Sequence, residues 1–151
     1  MSDWKEVKMP PICERQIGFS IPEDNQFLVV SYEGTHLVTL GDEISVEHDY
    51  DYIEYDLYDP KKGFAEYRDR QWQIIGLYPG SPLLTSPQGE SLRLDAEHEI
   101  LYVIEGDDVR LTRGYDNCSG DWAAVTFSRD GMWIILGCPY DVDFVALRRC
   151  K

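Results

Sequence analysis

The sequence lacks the features that mark exported and membrane-spanning proteins. Its four cysteines, Cys13, Cys118, Cys138 and Cys150, include no Cys-x-x-Cys pair, and no charged-then-apolar signal segment opens the chain. No apolar run approaches the ~18 residues that a membrane helix requires. We therefore expect a cytoplasmic protein with reduced, mostly buried thiols. A disulfide between Cys118 and Cys138 remains an alternative.

Basic residues are scarce. The chain has 28 Asp and Glu residues against 14 Lys and Arg residues, which gives a formal net charge of −14 at pH 7. A nucleic-acid backbone or an anionic membrane would be repelled by this charge, so we expect neither as a partner. The charge favours a basic protein partner, although solubility alone is sufficient for much of it.

Helical patterning is also missing. No stretch repeats apolar residues at i, i+3, i+4 and i+7 for long enough to form a stable helix, so we predict an all-β chain. With 151 residues, of which 43% are hydrophobic, a single domain over residues 1–151 is long enough to bury a core. Residues 1–26, which contain Pro10, Pro11 and Pro22, are predicted to be an irregular N-terminal segment.

What the chain does have is a set of paired apolar runs that predict antiparallel β-hairpins. In the most complete, residues 123–127 and 132–136 flank Asp130-Gly131, where glycine supplies the positive φ of a tight turn. Weaker copies lie at residues 27–40, 64–77 and 100–111. Their turn positions 34, 70 and 106 are 36 residues apart, and the fourth, at 131, follows after 25. A period of this size is typical of repeat architectures.

The stretch 122–147 resembles a blade of a β-propeller of the WD-repeat kind. The resemblance is carried by a hydrophobic strand, the turn Ser128-Arg129-Asp130-Gly131, the strand Ile134-Ile135-Leu136-Gly137, and a further strand that ends Val145-Ala146-Leu147. It implies about four small blades, or an incomplete propeller that a second copy completes. The alternative is an antiparallel β-sandwich or barrel, which the regular strand spacing also permits.

Residues 42–59 are unusual because they contain eight carboxylates and no Lys or Arg. The segment favours an extended strand, on which successive side chains face opposite sides. One side, predicted to pack inward, holds Asp51, Ile53, Tyr55 and Leu57. The other side, predicted to face solvent, holds Tyr50, Tyr52, Glu54, Asp56 and Tyr58.

We hypothesise that this second side binds a partner. Tyrosine buries a large area in interfaces while its hydroxyl still hydrogen-bonds. Carboxylates two residues apart on a strand are roughly 7 Å apart, a spacing suited to Lys and Arg side chains of a basic protein. The alternative is a solvated edge strand, charged to prevent edge-to-edge association.

Patterns for metal binding and catalysis are weak. The groups around His48 and His98 match neither a zinc spacing nor a calcium loop, so we predict no metal and no cofactor. The chain has no Gly-x-Ser-x-Gly elbow, phosphate loop or His-Glu-x-x-His motif. Cys118 is the best nucleophile candidate, yet it has no identifiable base, and we predict no catalytic residues.

The sequence therefore predicts a protein-binding module rather than an enzyme. Its most specific form is an inhibitor similar to the small acidic immunity proteins that neutralise basic toxins. One alternative is a small carboxylate-dependent hydrolase, similar to a glycosidase, in which two carboxylates flank the scissile bond. Another is a structural β module that assembles into a homo-oligomer through its strand edges.

Overall fold

The computed structural model describes residues 3–52, 57–78, 80–117, 121–140 and 144–150, and every element in them is a strand. The all-β prediction is confirmed. In chain order the strands are β1 (Trp4–Val7), β2 (Gln16–Ser20), β3 (Gln26–Ser31), β4 (Thr35–Thr39), β5 (Ser45–Asp49), β6 (Tyr58–Asp59), β7 (Phe64–Tyr67), β8 (Arg70–Gly76), β9 (Glu90–Asp95), β10 (Ile100–Glu105), β11 (Asp108–Gly114), β12 (Ala124–Phe127), β13 (Trp133–Gly137) and β14 (Val145–Arg149). No helix in these ranges is long and apolar enough to cross a membrane.

The strands form three antiparallel sheets. The largest has the order β5-β4-β3-β2-β8-β7-β6 and curls into a half-barrel, while the others have the orders β1-β14-β13-β12 and β11-β10-β9. A connecting segment links the two smaller sheets: Leu84 O accepts a hydrogen bond from Leu92 N at 2.8 Å, and Leu83 O accepts one from Phe127 N at 2.9 Å. The two smaller sheets therefore lie side by side and share a core.

Strand alternation divides the core into layers. Phe27 and Val29 of β3 pack between the seven-stranded and four-stranded sheets, whereas Leu28 and Val30 face the hollow of the half-barrel. Likewise, β13 places Ile135 in the layer between those sheets and Ile134 in the core shared with β9 and β10. Because both faces of these central strands are covered, their sequences are continuous apolar runs rather than alternating ones.

The four predicted hairpins are present as β3–β4, β7–β8, β10–β11 and β12–β13. Gly106 and Gly131 have φ angles of 62° and 75°, as expected for glycine in a tight turn. The β7–β8 turn falls one residue earlier than predicted, at Arg68-Asp69, with φ angles of 53° and 57°. The radial order of blades that the propeller resemblance implies stays a prediction.

The prediction that residues 1–26 are irregular is wrong. They contain β1, which pairs with β14, and β2, which pairs with β3 and β8. The β2–β3 turn is Asp24-Asn25, with φ angles of 54° and 61°. Asp and Asn tolerate this left-handed conformation, so the dipeptide is a turn signal that the emphasis on proline missed.

The prediction of one extended strand through residue 59 is also wrong. Strand β5 ends at Asp49, whose Oδ1 accepts a hydrogen bond from Asp51 N at 3.1 Å and so turns the chain. The next strand among the described residues is β6. Residues 53–56, and with them the predicted site residues Glu54 and Asp56, lie outside the described residues.

The described cysteines Cys13, Cys138 and Cys150 form no disulfide. Cys118, the other half of the alternative Cys118–Cys138 pair and the candidate nucleophile, lies outside the described residues. The redox state stays a prediction, whereas the structure shows how far each of the three described cysteines is buried. Two of these, Cys13 and Cys138, are buried.

Candidate functional site

The turn after β5 divides the predicted binding face. Tyr50 and Tyr52 are 61% and 49% exposed, in agreement with their predicted orientation. Tyr58, predicted to be exposed, is only 8% exposed and packs in the half-barrel core beside Leu57. Asp51, predicted to face inward, is exposed. Alternation holds only within a continuous strand, and the strand assumed in the prediction stops at Asp49.

A larger aromatic surface lies at one end of the seven-stranded sheet. At this end β2 and β4 begin and β3, β5 and β8 end. We define the tyrosine rim as the five exposed tyrosines there, which are 36% to 61% exposed: Tyr32, Tyr50, Tyr52, Tyr78 and Tyr140.

The rim combines residues from separate parts of the chain. Tyr32 directly follows β3, and Tyr78 follows the end of β8 by two residues. Tyr140 is brought to this end because Pro139 O accepts a hydrogen bond from Gln16 N, at the start of β2, at 2.7 Å. Sequence reasoning found Tyr50 and Tyr52 but not the other three, because only the sheet order brings these segments together.

Local contacts fix the positions of Tyr50 and Tyr52. The ring of Tyr50 stacks on His48 with centroids 5.9 Å apart and planes inclined by 6°. A β-carbon at Gly34 would lie 3.1 Å from Cδ1 of Tyr50 and 2.8 Å from Asp49 O, so glycine is needed for this close approach. The carbonyl oxygen of Tyr52 accepts a hydrogen bond from Thr35 Oγ1 at 2.8 Å. These contacts hold Tyr50 and Tyr52 against the ends of β4 and β5.

Acidic side chains lie next to the aromatic rings. Glu14, Glu33 and Asp51 are exposed, and Oε1 of Glu33 accepts a hydrogen bond from the backbone N–H of Glu14 at 3.2 Å. Arg15, which lies over the ring of Tyr32 at 5.7 Å, is also 3.5 Å from a carboxylate oxygen of Asp121. The surroundings of the rim thus combine large aromatic area with negative charge.

Beneath the rim lies a chain of hydrogen bonds centred on His36, which is fully buried. Its Nε2 is 2.8 Å from Ser31 Oγ, and its Nδ1 is 2.8 Å from Nδ1 of His48. Burial, and to a lesser extent the charge of His48, lowers the pKa of His36 to about 4. The His36 ring is therefore neutral at pH 7.

Ser31 and His36 have the spacing of a nucleophile and its base, but their surroundings favour a structural role. Ser31 is fully buried, and its Oγ accepts hydrogen bonds from Glu33 N at 3.3 Å and Gly34 N at 3.1 Å. The hydroxyl also donates to Gly34 O at 3.0 Å. A hydroxyl held in this way cannot reach a substrate in this conformation, so these contacts serve to fix the β3–β4 turn.

A second feature that sequence reasoning missed is a group of potential metal ligands beside this turn. One donor atom each from Cys13, Glu33 and His36 lies within 4.8 Å of the other two. Cys13 and His36 are buried, whereas Glu33 is exposed. Cys13 is far from the other two along the chain, so no local spacing could indicate the group.

The function of these surfaces can be inferred only from their geometry, because comparisons of the chain with protein-family models, with curated protein sequences and with solved structures give no match. Two candidate sites follow from the described residues. The tyrosine rim is suited to a macromolecular partner, and the group of Cys13, Glu33 and His36 is suited to an ion.

Proposed function

We propose that the chain is a protein-binding module whose tyrosine rim contacts a basic protein. The observation that carries this proposal is the collection of five exposed tyrosines, from separate segments, at one end of one sheet. Tyrosine is enriched in interfaces because its ring buries area at low entropic cost and its hydroxyl remains available for hydrogen bonds. Contiguous aromatic surface on a soluble protein is typical of interaction sites.

The width of the rim supports a protein rather than a small molecule as the ligand. From β5 to β8 the sheet contains four strand spacings, or about 19 Å at ~4.8 Å each. A standard interface buries roughly 800 Å² per partner, equivalent to a square patch ~28 Å across, so the rim spans about two thirds of such a patch. The ordered positions of Tyr50 and Tyr52 also reduce the entropy lost on binding.

Charge supports a basic partner. The chain carries a formal net charge of −14, and the exposed Glu14, Glu33 and Asp51 lie beside the rim. Such a field attracts a cationic protein and accelerates its association, mostly at low ionic strength. The tyrosines would then supply the contact area that slows dissociation.

The narrower form of the proposal is a cytoplasmic inhibitor of the immunity type, which neutralises its basic partner by covering it. Small size and strong acidity support this form. A propeller-like arrangement of the hairpins, completed by further strands or a second copy, is the corresponding architectural proposal. The alternative is self-association through strand edges, and the experiment has to distinguish it from binding of a basic partner.

The experiment is affinity capture from lysate of the source cells, followed by kinetic measurement with the captured protein. We expect a basic partner whose association slows as salt is raised. Tyr50→Ala should weaken binding by about 1–3 kcal/mol, roughly 5- to 150-fold, chiefly through faster dissociation. Asp51→Asn should mainly slow association and reduce its salt dependence.

Tyr102→Ala is the matched control, because Tyr102 lies on β10 in the three-stranded sheet, away from the rim. It should leave both rate constants unchanged. Equal affinity of the wild-type protein and the Tyr50→Ala variant would exclude the rim as the contact surface. Capture of further copies of the chain alone would favour the self-assembling module.

A further inference from the structure

The three donor atoms of Cys13, Glu33 and His36 form a mixed sulfur, oxygen and nitrogen set. Their separations are at most 4.8 Å. Zinc bonds to these atom types are about 2.0–2.3 Å long, so two ligand atoms on one tetrahedral ion lie roughly 3.3–3.8 Å apart. Bringing the three atoms onto one ion therefore needs a contraction of at most about 1.5 Å.

We propose that Cys13, Glu33 and His36 form a binding site for a divalent transition-metal ion of the zinc type, with three protein ligands and an open fourth position. Calcium and magnesium prefer sites made of oxygen atoms alone. As the ion binds, the Cys13 thiol releases its proton to solvent. The resulting thiolate with an imidazole selects a softer ion, and a carboxylate as third ligand is common at zinc sites that keep one position open.

The structure holds each ligand in a different way. Cys13 and His36 are in the core, and each ring nitrogen of His36 has a partner, Ser31 Oγ on one side and His48 Nδ1 on the other. An ion on either nitrogen replaces that nitrogen's present hydrogen bond, while the other nitrogen keeps its own and so orients the ring, as is usual for metal-binding histidines.

Glu33 supplies the movable ligand. It is exposed and lies in the β3–β4 turn, so a change of side-chain rotamer can close the remaining distance. The backbone N–H of Glu14, the residue after Cys13, donates to Oε1 of Glu33 at 3.2 Å. The segment that carries the thiol therefore also anchors the carboxylate. An ion would bridge this segment to β4.

The test uses Co²⁺ as a spectroscopic probe for the reduced, full-length, chelator-treated protein. We expect one Co²⁺ per chain, with the intense charge-transfer absorption of a thiolate–cobalt bond, and displacement by Zn²⁺. Cys13→Ser should abolish this band. Glu33→Gln should weaken Co²⁺ binding by at least about 10-fold, a lower bound set by the effect of losing a supporting contact.

Two control variants match the residue types. Cys150→Ser removes an exposed thiol outside the group, and Glu43→Gln removes an exposed carboxylate outside it. Both should bind Co²⁺ as the wild-type protein does. Circular dichroism checks that Cys13→Ser is folded, and the exposed Glu33 position gives a second variant that does not disturb the core.

The absence of a thiolate–cobalt band in the wild-type protein would overturn the proposal. So would a band that survives Cys13→Ser, or one that Cys150→Ser removes. None of these measurements involves a protein partner, so they are independent of the proposed role of the tyrosine rim.

Discussion

At the scale of single residues, a buried ion pair joins two of the sheets. The side chains of Arg149 on β14 and Glu90 on β9 are 16% and 5% exposed. The two terminal guanidinium nitrogens, Nη1 and Nη2, each donate a hydrogen bond to a carboxylate oxygen of Glu90. Ser86 Oγ donates to Glu90 Oε1 at 3.1 Å, and the guanidinium lies 4.5 Å from the centre of the Trp4 ring. Glu90 is withdrawn from water and Arg149 is part-buried, and although the guanidinium also donates to Gly131 O at 3.0 Å, Glu90 supplies its counter-charge.

We predict that Glu90→Ala lowers the free energy of unfolding by about 3 kcal/mol, the lower end of the cost of breaking a buried pair, because the part-buried guanidinium of Arg149 loses its counter-ion but keeps Gly131 O as an acceptor. The matched control is Asp42→Ala. Asp42 pairs with Arg148 at 2.6 Å, but its side chain is 96% exposed. That variant should lose less than about 1 kcal/mol. Urea denaturation measures both, and equal losses would contradict the special role of the buried pair.

Tyr58 provides a pH-dependent test of its own burial. Desolvation, and then the neighbouring Tyr78, raises the pKa of Tyr58 to about 12. In the unfolded chain the phenol ionises near pH 10, whereas the folded protein keeps its proton. Its contribution to stability is therefore complete below pH 10 and disappears as the pH rises toward 12.

We predict that this contribution amounts to about 2–3 kcal/mol across that window. The measured quantity is the difference in unfolding free energy between the wild-type protein and Tyr58→Phe as the pH rises from 10 to 12. The difference should shift in favour of the variant, because phenylalanine has no proton to lose. A constant difference would mean that Tyr58 is exposed, as the sequence pattern predicts.

At the scale of the elements, the residue types in a turn decide whether its hairpin can be predicted from the sequence. The hairpins at Gly106 and Gly131 can be predicted from the sequence because each has a turn glycine, which adopts positive φ without strain. The β2–β3 hairpin uses Asp24-Asn25 instead, and it follows a segment that contains Pro10, Pro11 and Pro22. Asp24-Asn25 is sufficient to indicate a turn, but the three prolines before it favour irregular structure and dominate the sequence-based prediction.

The β7–β8 turn gives the prediction for this scale. Asp69 has a φ of 57°, a conformation that favours glycine. We expect Asp69→Gly to stabilise the protein by about 0.5–1 kcal/mol, because it relieves the side-chain clash of the left-handed conformation. The measurement is the denaturant midpoint at unchanged slope.

Asp107→Gly is the matched control, because Asp107 occupies the β10–β11 turn without a positive φ. There glycine only adds freedom to the unfolded chain, so the variant should be less stable than the wild-type protein. Stabilisation of both variants would show that backbone strain at Asp69 is not the cause.

At the scale of the whole molecule, local sequence patterns predict the individual hairpins but not the order in which their strands join into sheets. Alternating and continuous apolar runs predicted the all-β class and the β3–β4, β7–β8, β10–β11 and β12–β13 pairs. The sheet order that places β2 beside β8 depends on contacts between distant segments, for which one sequence offers no local pattern. The curled seven-stranded sheet could not be predicted for this reason.

The same limit applies to the candidate sites. Tyr50 and Tyr52 were found because they lie in one acidic stretch, and Tyr58 was misplaced because the chain turns after Asp49. Tyr32, Tyr78 and Tyr140 join the rim only through the sheet. The group of Cys13, Glu33 and His36 also forms only on folding, since His36 is on β4 and Cys13 precedes β2.

The pairing of β1 with β14 also sets the order of events during biosynthesis. Residues 4–7 are translated long before residues 145–149, yet these are their strand partners, and Cys150 N donates to Asp3 O at 2.7 Å beside them. The local β3–β4 hairpin can form as soon as it leaves the ribosome, but β1 must wait. Until β14 is translated, Trp4 lacks the strand that helps to bury it, so the nascent N-terminal segment carries a large apolar side chain without its final packing.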